Sequence, residues 1–140
     1  MFRISRLVGA VVVCAASVAC GGSPATFTEQ AELGQELYGE SCAKCHGAGG
    51  EGGQGPRLVG LAQGALPLDP PATAQKRTGK FVTVADVAAF VTVNMPGDAP
   101  GSLSEDEYLE ILAFDLKANG IDLAQEKLTL EKAKSLTIPR

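Results

Sequence analysis

The chain has 140 residues, with 12 Lys and Arg against 16 Asp and Glu, a net charge of −4, 45% hydrophobic residues and no tryptophan. That length suits one domain. The acidic balance argues against nucleic acid as a partner, since such binding rests on clustered Lys and Arg.

Arg3 and Arg6 form a basic opening, Leu7 to Ala19 is an apolar run of secretory length, and Ser17-Val18-Ala19 closes it with small residues. Residues 1–19 therefore read as an export signal. The run is shorter than the roughly 20 residues a membrane-spanning helix needs, so a permanent transmembrane anchor is the weaker reading. Val18-Ala19-Cys20-Gly21 resembles a bacterial lipoprotein processing box, although Ser17 stands where leucine is usual. An ordinary signal-peptidase cut would fall at the same bond. Lipidation of Cys20 is preferred, because the alternative is an exposed thiol in an oxidising compartment, and two acyl chains anchor stably where one does not. Residues 20–26 then form a tether, and the expected location is the periplasm, membrane-anchored through Cys20. Loss of Arg3 and Arg6 leaves 10 basic against 16 acidic residues, a net charge of −6, which favours a basic partner surface.

Thr28 precedes a stretch in which Leu33 and Leu37, and Gly34 and Tyr38, lie four apart, and this predicts a helix over about 29–44. Glu32, Glu36 and Glu40 share one face, read as solvated rather than as a docking patch. The helix delivers Cys42-Ala43-Lys44-Cys45-His46. Cys-x-x-Cys-His is the spacing at which two thiols bond the vinyl groups of one haem and the next histidine reaches the iron. Structural zinc needs about four protein ligands, yet His46 is the only histidine and no second cysteine pair follows. A thioredoxin-like pair would follow a buried strand, whereas this one follows a helical pattern and precedes a glycine-rich loop.

From Gly47 to Gly64 there are eight glycines in 18 residues, followed by prolines at 67, 70 and 71, so no regular helix is expected there. Within it, Gly55-Pro56-Arg57-Leu58 lies ten residues after His46. A ligating histidine usually donates its other ring N–H to a fixed acceptor, and the Pro56 carbonyl can serve, with Leu58 capping the same side. Thr83-Val84-Ala85-Asp86 reads as a helix start, with the end near Asn94. Met95, at a Pro-Gly corner, is the only methionine once the leader is removed. A lone methionine is more often core filler, but a thioether suits haem iron and raises its potential, and lysines are the only other sixth-ligand candidates. Ser104 to Glu107 forms a capping box, and the pattern through Tyr108, Ile111, Leu112, Phe114 and Leu116 stops at Asn119-Gly120. In the tail, Leu123 to Leu136 can be helical, ended by Pro139.

These residues together resemble a class I c-type cytochrome over 27–120, with 121–140 a partly helical extension. The resemblance implies an all-α fold, with helices and long loops wrapped around one covalent haem c. It also implies that the first and last helices cross where Gly34 lets the backbone near Phe114 approach. The stretch from Asn94-Met95-Pro96 to Leu112 through Gly120 is similar to small cytochromes that accept electrons from quinoprotein dehydrogenases. The implied partners are redox proteins, either such a dehydrogenase or a terminal oxidase. The family often places Trp and Tyr near the haem propionates; this chain has no Trp, and Arg57 is the candidate in their place. With both axial positions filled, the expectation is a one-electron carrier, not an enzyme, with no small-molecule substrate. Two other readings stay open: a haem enzyme or gas sensor with Met95 off the iron, and a haem-free lipoprotein with a Cys42–Cys45 disulfide.

Overall fold

A helix starts where a side chain can satisfy the free amides of its first turn. In the computed structural model, which describes residues 22–139, that residue is Thr26 rather than Thr28. Its hydroxyl accepts from Glu29 N at 3.2 Å, and the Glu29 carboxylate accepts from Thr26 N at 3.1 Å. This capping box opens α1, Phe27–Ser41, two residues earlier than expected. The predicted leader and Cys20 lie outside the described residues.

The far end of α1 also differs. Cys42 takes φ −122° and ψ −36°, so the helix stops at Ser41 instead of running to 44. A separate single turn, α2 (Ala43–His46), springs from the Cys42 carbonyl, which accepts from His46 N at 3.0 Å. The cysteine pair and the histidine thus occupy their own turn.

The next two helices begin and end as expected. Thr83 with Asp86 caps α3 (Val84–Asn94), and Ser104 with Glu107 caps α4 (Glu105–Ala118), which stops at Asn119. Backbone hydrogen bonds hold the Asp86 and Glu107 carboxyls below their ordinary values. The glycine-rich stretch carries one 3₁₀ turn, Leu61–Gln63.

In the tail the helix is shorter than predicted: α5 covers Leu130–Ser135. Ala124 lies in the left-handed region at φ 54°. Leu128 then donates its N–H to Gln30 Oε1 at 2.8 Å, while Gln30 Nε2 donates to Leu128 O at 3.0 Å. Backbone groups held by a side-chain amide of α1 cannot also extend a helix. Beyond α5, Ile138 N donates to Val82 O at 3.0 Å, and Thr83 and Thr137 form an isolated antiparallel bridge. Leu128, Ala133 and Ile138 join Phe27, Val84 and Leu112 in one core. The described residues form an all-α fold of the class I cytochrome c type, with no strand.

The most extensive packing is between α1 and α4. A Cβ on Gly34 would lie 1.8 Å from Glu110 O and 2.9 Å from Ile111 N. The close approach is therefore one turn before Phe114, which instead packs its ring on Tyr38 with centroids 5.0 Å apart. The inward face of α1 is Phe27, Gln30, Ala31, Gly34 and Tyr38. Leu33, expected on the apolar stripe, is 39% exposed, and Glu32, Glu36 and Glu40 are all exposed.

Asn119 does more than end α4. Its Oδ1 accepts from Gly60 N at 2.8 Å and its Nδ2 donates to Leu58 O at 2.9 Å, clamping the loop to the helix end. Asn119→Ala strands both loop groups and is expected to cost about 1–3 kcal/mol. In chemical denaturation this is a lower midpoint at unchanged slope; an unmoved midpoint would show that the clamp is idle.

Candidate functional site

Cys42 and Cys45 are free thiols, each half-buried, on and beside the turn of α2. Burial, then the nearby Asp115 charge, pushes the Cys42 thiol up to about 11. One residue on, His46 is 8% exposed. Its Nδ1 lies 2.8 Å from the Pro56 carbonyl. A carbonyl oxygen only accepts, so Nδ1 carries the proton and Nε2 keeps its lone pair for a ligand.

The glycine-rich loop makes this contact by folding back over α2. Gly52 N donates to His46 O at 2.7 Å and Gly55 N to Cys45 O at 2.8 Å. At Gly55 a Cβ would come within 2.7 Å of the His46 ring, so any side chain there displaces the imidazole from its acceptor. Farther along, Arg57 is half-buried and its Nη1 donates to Val59 O at 3.3 Å. Leu58, also half-buried, is fixed by its N–H to Gly50 O at 2.8 Å.

Met95 follows α3 as an extended residue at φ −120° and ψ 158°, its N–H still donating to Val91 O. Its carbonyl accepts from Tyr108 Oη at 2.6 Å and from Gly101 N at 3.1 Å. Asp98, three residues on, pairs with Lys44 of α2 at 3.2 Å. Both partners are well exposed, so solvent screens the pair; it marks the Met95 loop and α2 as neighbours. Two hydroxyls that sequence reasoning missed hold the two segments: Tyr108 on Met95, and Tyr38 on Gly47 O at 2.8 Å. Both tyrosines read in sequence only as apolar helix residues, and nothing in their spacing announces the hydroxyl's partner.

Among the described residues, no group of three or more His, Cys, Asp and Glu could hold a metal ion by itself. Two free thiols on one turn, an imidazole with a free Nε2 and a glycine-only cradle do fit a covalently attached porphyrin. Such a site on such a fold defines a class I c-type cytochrome.

The comparisons agree. Residues 29–114 match the family model described as Cytochrome C oxidase, cbb3-type, subunit III, more than half of the chain. A crystal structure of the sulfane dehydrogenase SoxCD from Paracoccus pantotrophus matches with TM-score 0.58 and 28% identity, over 78% of this chain and 53% of that one. The chain thus spans about half the length of that relative. No curated protein matches significantly. The chain belongs to the cbb3-type subunit III family of cytochrome c domains. Its cofactor is covalently bound haem c, and it is an electron-transfer protein.

Proposed function

We propose that Cys42 and Cys45 carry the haem through thioether bonds, that His46 and Met95 are its axial ligands, and that the protein passes single electrons in a periplasmic or membrane-associated respiratory or dehydrogenase chain. The observation that carries this reading is the His46 Nδ1 to Pro56 O hydrogen bond of 2.8 Å. It fixes the tautomer that aims a lone pair away from the loop, on the residue directly after the cysteine pair. The haem supplies the one-electron change between ferric and ferrous iron. The chain's own residues orient the ligands and exclude water: Gly55 and Pro56 hold the imidazole, Tyr108 holds the Met95 backbone, and Leu58 covers the histidine side. Arg57 is the proposed partner of a propionate, once its guanidinium turns from the Val59 carbonyl.

The haem domain is residues 27–120, and 121–140 is its C-terminal extension. The partners are redox proteins, a quinoprotein dehydrogenase or a terminal oxidase, met over a small transient interface of under roughly 1,200 Å². No helix among the described residues is long and apolar enough to cross a membrane; the attachment proposed is a lipid on Cys20, which the Val18-Ala19-Cys20-Gly21 processing-box resemblance supports. A short tether there keeps the haem domain in the layer where its partners lie, raising effective concentration.

Intact mass of protein matured in a periplasm tests both parts. The expected result is one haem added to a chain beginning at a diacylated Cys20, with the haem absent from the Cys42→Ala/Cys45→Ala variant. Cys20→Ser should release the protein from membranes or block its processing, without altering its visible spectrum. An unmodified Cys20 defeats the anchor alone, whereas a high-spin spectrum with ready carbon monoxide binding defeats the His46/Met95 ligand set.

A further inference from the structure

Asp115 is a buried acidic group for which electron carriage so far has no use. It lies on α4, 6% exposed, and its Oδ1 has no hydrogen-bond partner. Around it are Leu66, Val84, Val87, Leu112, Leu116 and Ile138, which share with it a void of about 10 Å³. That is at the lower limit for a single water. An acid placed so is costly to ionise, and leucine would fill the same position on the helix without that cost. Burial alone pushes its carboxyl up to about 7.

The position also adjoins the candidate haem site: Asp115 follows Phe114, whose ring packs on Tyr38 with centroids 5.0 Å apart, and Tyr38 Oη donates to the carbonyl of Gly47, the residue after His46. Burial first, and the Asp115 charge next, raise both the Tyr38 phenol and the Cys42 thiol. The titratable groups facing it are Tyr38 of α1 and Cys42 at its end; the latter carries no proton as a thioether. From α3, the loop and the tail, the void it shares is lined by Val84, Val87, Leu66 and Ile138, none of which titrates.

We infer that Asp115 is a redox-linked proton site, protonated when the haem is reduced and ionised when it is oxidised. The inference rests on the attachment at Cys42 proposed above. Ferric haem carries one more positive charge than ferrous, and in a poorly hydrated interior that charge favours the carboxylate. On reduction, one electron arrives from the donor protein and one proton from water bonds to a carboxylate oxygen of Asp115. On oxidation the electron passes to the acceptor protein and the proton returns to water. Below both of its dissociation steps Asp115 is neutral in either state and the potential is high. Above both it is ionised in either state, and the potential is low. Between them the midpoint falls as pH rises.

The test is a spectroelectrochemical titration of the mature haem protein from about pH 5 to pH 9, beside Asp115→Asn. We expect the acid dissociation constant of Asp115 to differ at least tenfold between the two redox states, which converts to a midpoint drop of about 59 mV or more across the window. Asp115→Asn should stay near the high-potential limb at every pH, keeping only the shallower titration of the propionates that both proteins share. Identical curves, with the low-spin spectrum intact in both, overturn the inference while leaving the ligand set standing. Absence of haem on Cys42 in the unsubstituted protein overturns both. Should the Asn variant not mature, redox-difference infrared spectra of the unsubstituted protein decide. A carboxylic acid C=O band that appears on reduction and shifts in D₂O supports the site, and its absence across the pH window overturns it.

Discussion

Replacing Met95 by alanine is expected to lower the midpoint potential by on the order of 100 mV or more, within the span of about 0.8 V over which axial ligands move haem potentials. A thioether is a soft, weakly donating ligand, and opposite a histidine it raises the potential. Water or a lysine amine in its place favours ferric iron instead. The local geometry suits a fixed ligand. Met95 leaves α3 in an extended conformation, and its carbonyl is pinned by Tyr108 at 2.6 Å and by Gly101 at 3.1 Å. Lys44 and Asp98 then join its loop to the turn carrying His46. Redox titration checks the prediction, and an unchanged midpoint would remove Met95 from the iron. A second reading comes from carbon monoxide, which should bind the ferrous Met95→Ala protein and not the unsubstituted one.

Gly34→Ala is expected to be the most destabilising small substitution in the fold, at roughly 3 kcal/mol or more, the upper end of what overpacking costs. The added Cβ would stand 1.8 Å from Glu110 O and 2.9 Å from Ile111 N. Both are backbone atoms of a helix, and neither can rotate aside. The two helices must separate, and with them the Tyr38–Phe114 ring contact and the apolar groups around Ala31 and Leu112. Gly39 lies on the same helix with nothing within 4 Å of its would-be Cβ. Gly39→Ala should therefore stabilise by about 0.5–1 kcal/mol through backbone entropy. Thermal unfolding of the two variants side by side reads both signs. If Gly34→Ala melts with the unsubstituted protein, the helix crossing is not as tight as described.

The sequence by itself determined what depends on neighbours a few residues apart. Cys42-Ala43-Lys44-Cys45-His46 is five consecutive residues, so the haem attachment proposed for it is read from the sequence without a fold. The caps of α3 and α4 are side chains reaching amides three residues on, and Thr83 and Ser104 announce them. The end of α4 at Asn119-Gly120 is equally local. Where local signals compete, the pattern does not choose between them: Thr26 and Thr28 both precede a helical pattern, and only the geometry of Glu29 selects Thr26. What tertiary structure alone decided involves partners far along the chain. The amide of Gln30 takes the backbone of Leu128, 98 residues away, and so keeps residues 121–129 out of a helix. Asn119 reaches back to Leu58 and Gly60, and Tyr108 to Met95. At Asp115 the helical pattern places a residue on the inward face, but whether a carboxylate there finds a partner depends on which groups α1, α3 and the tail bring to it. Hydrogen bonds of this kind act over about 3 Å, so no pattern along one segment can register a partner that only folding brings within reach.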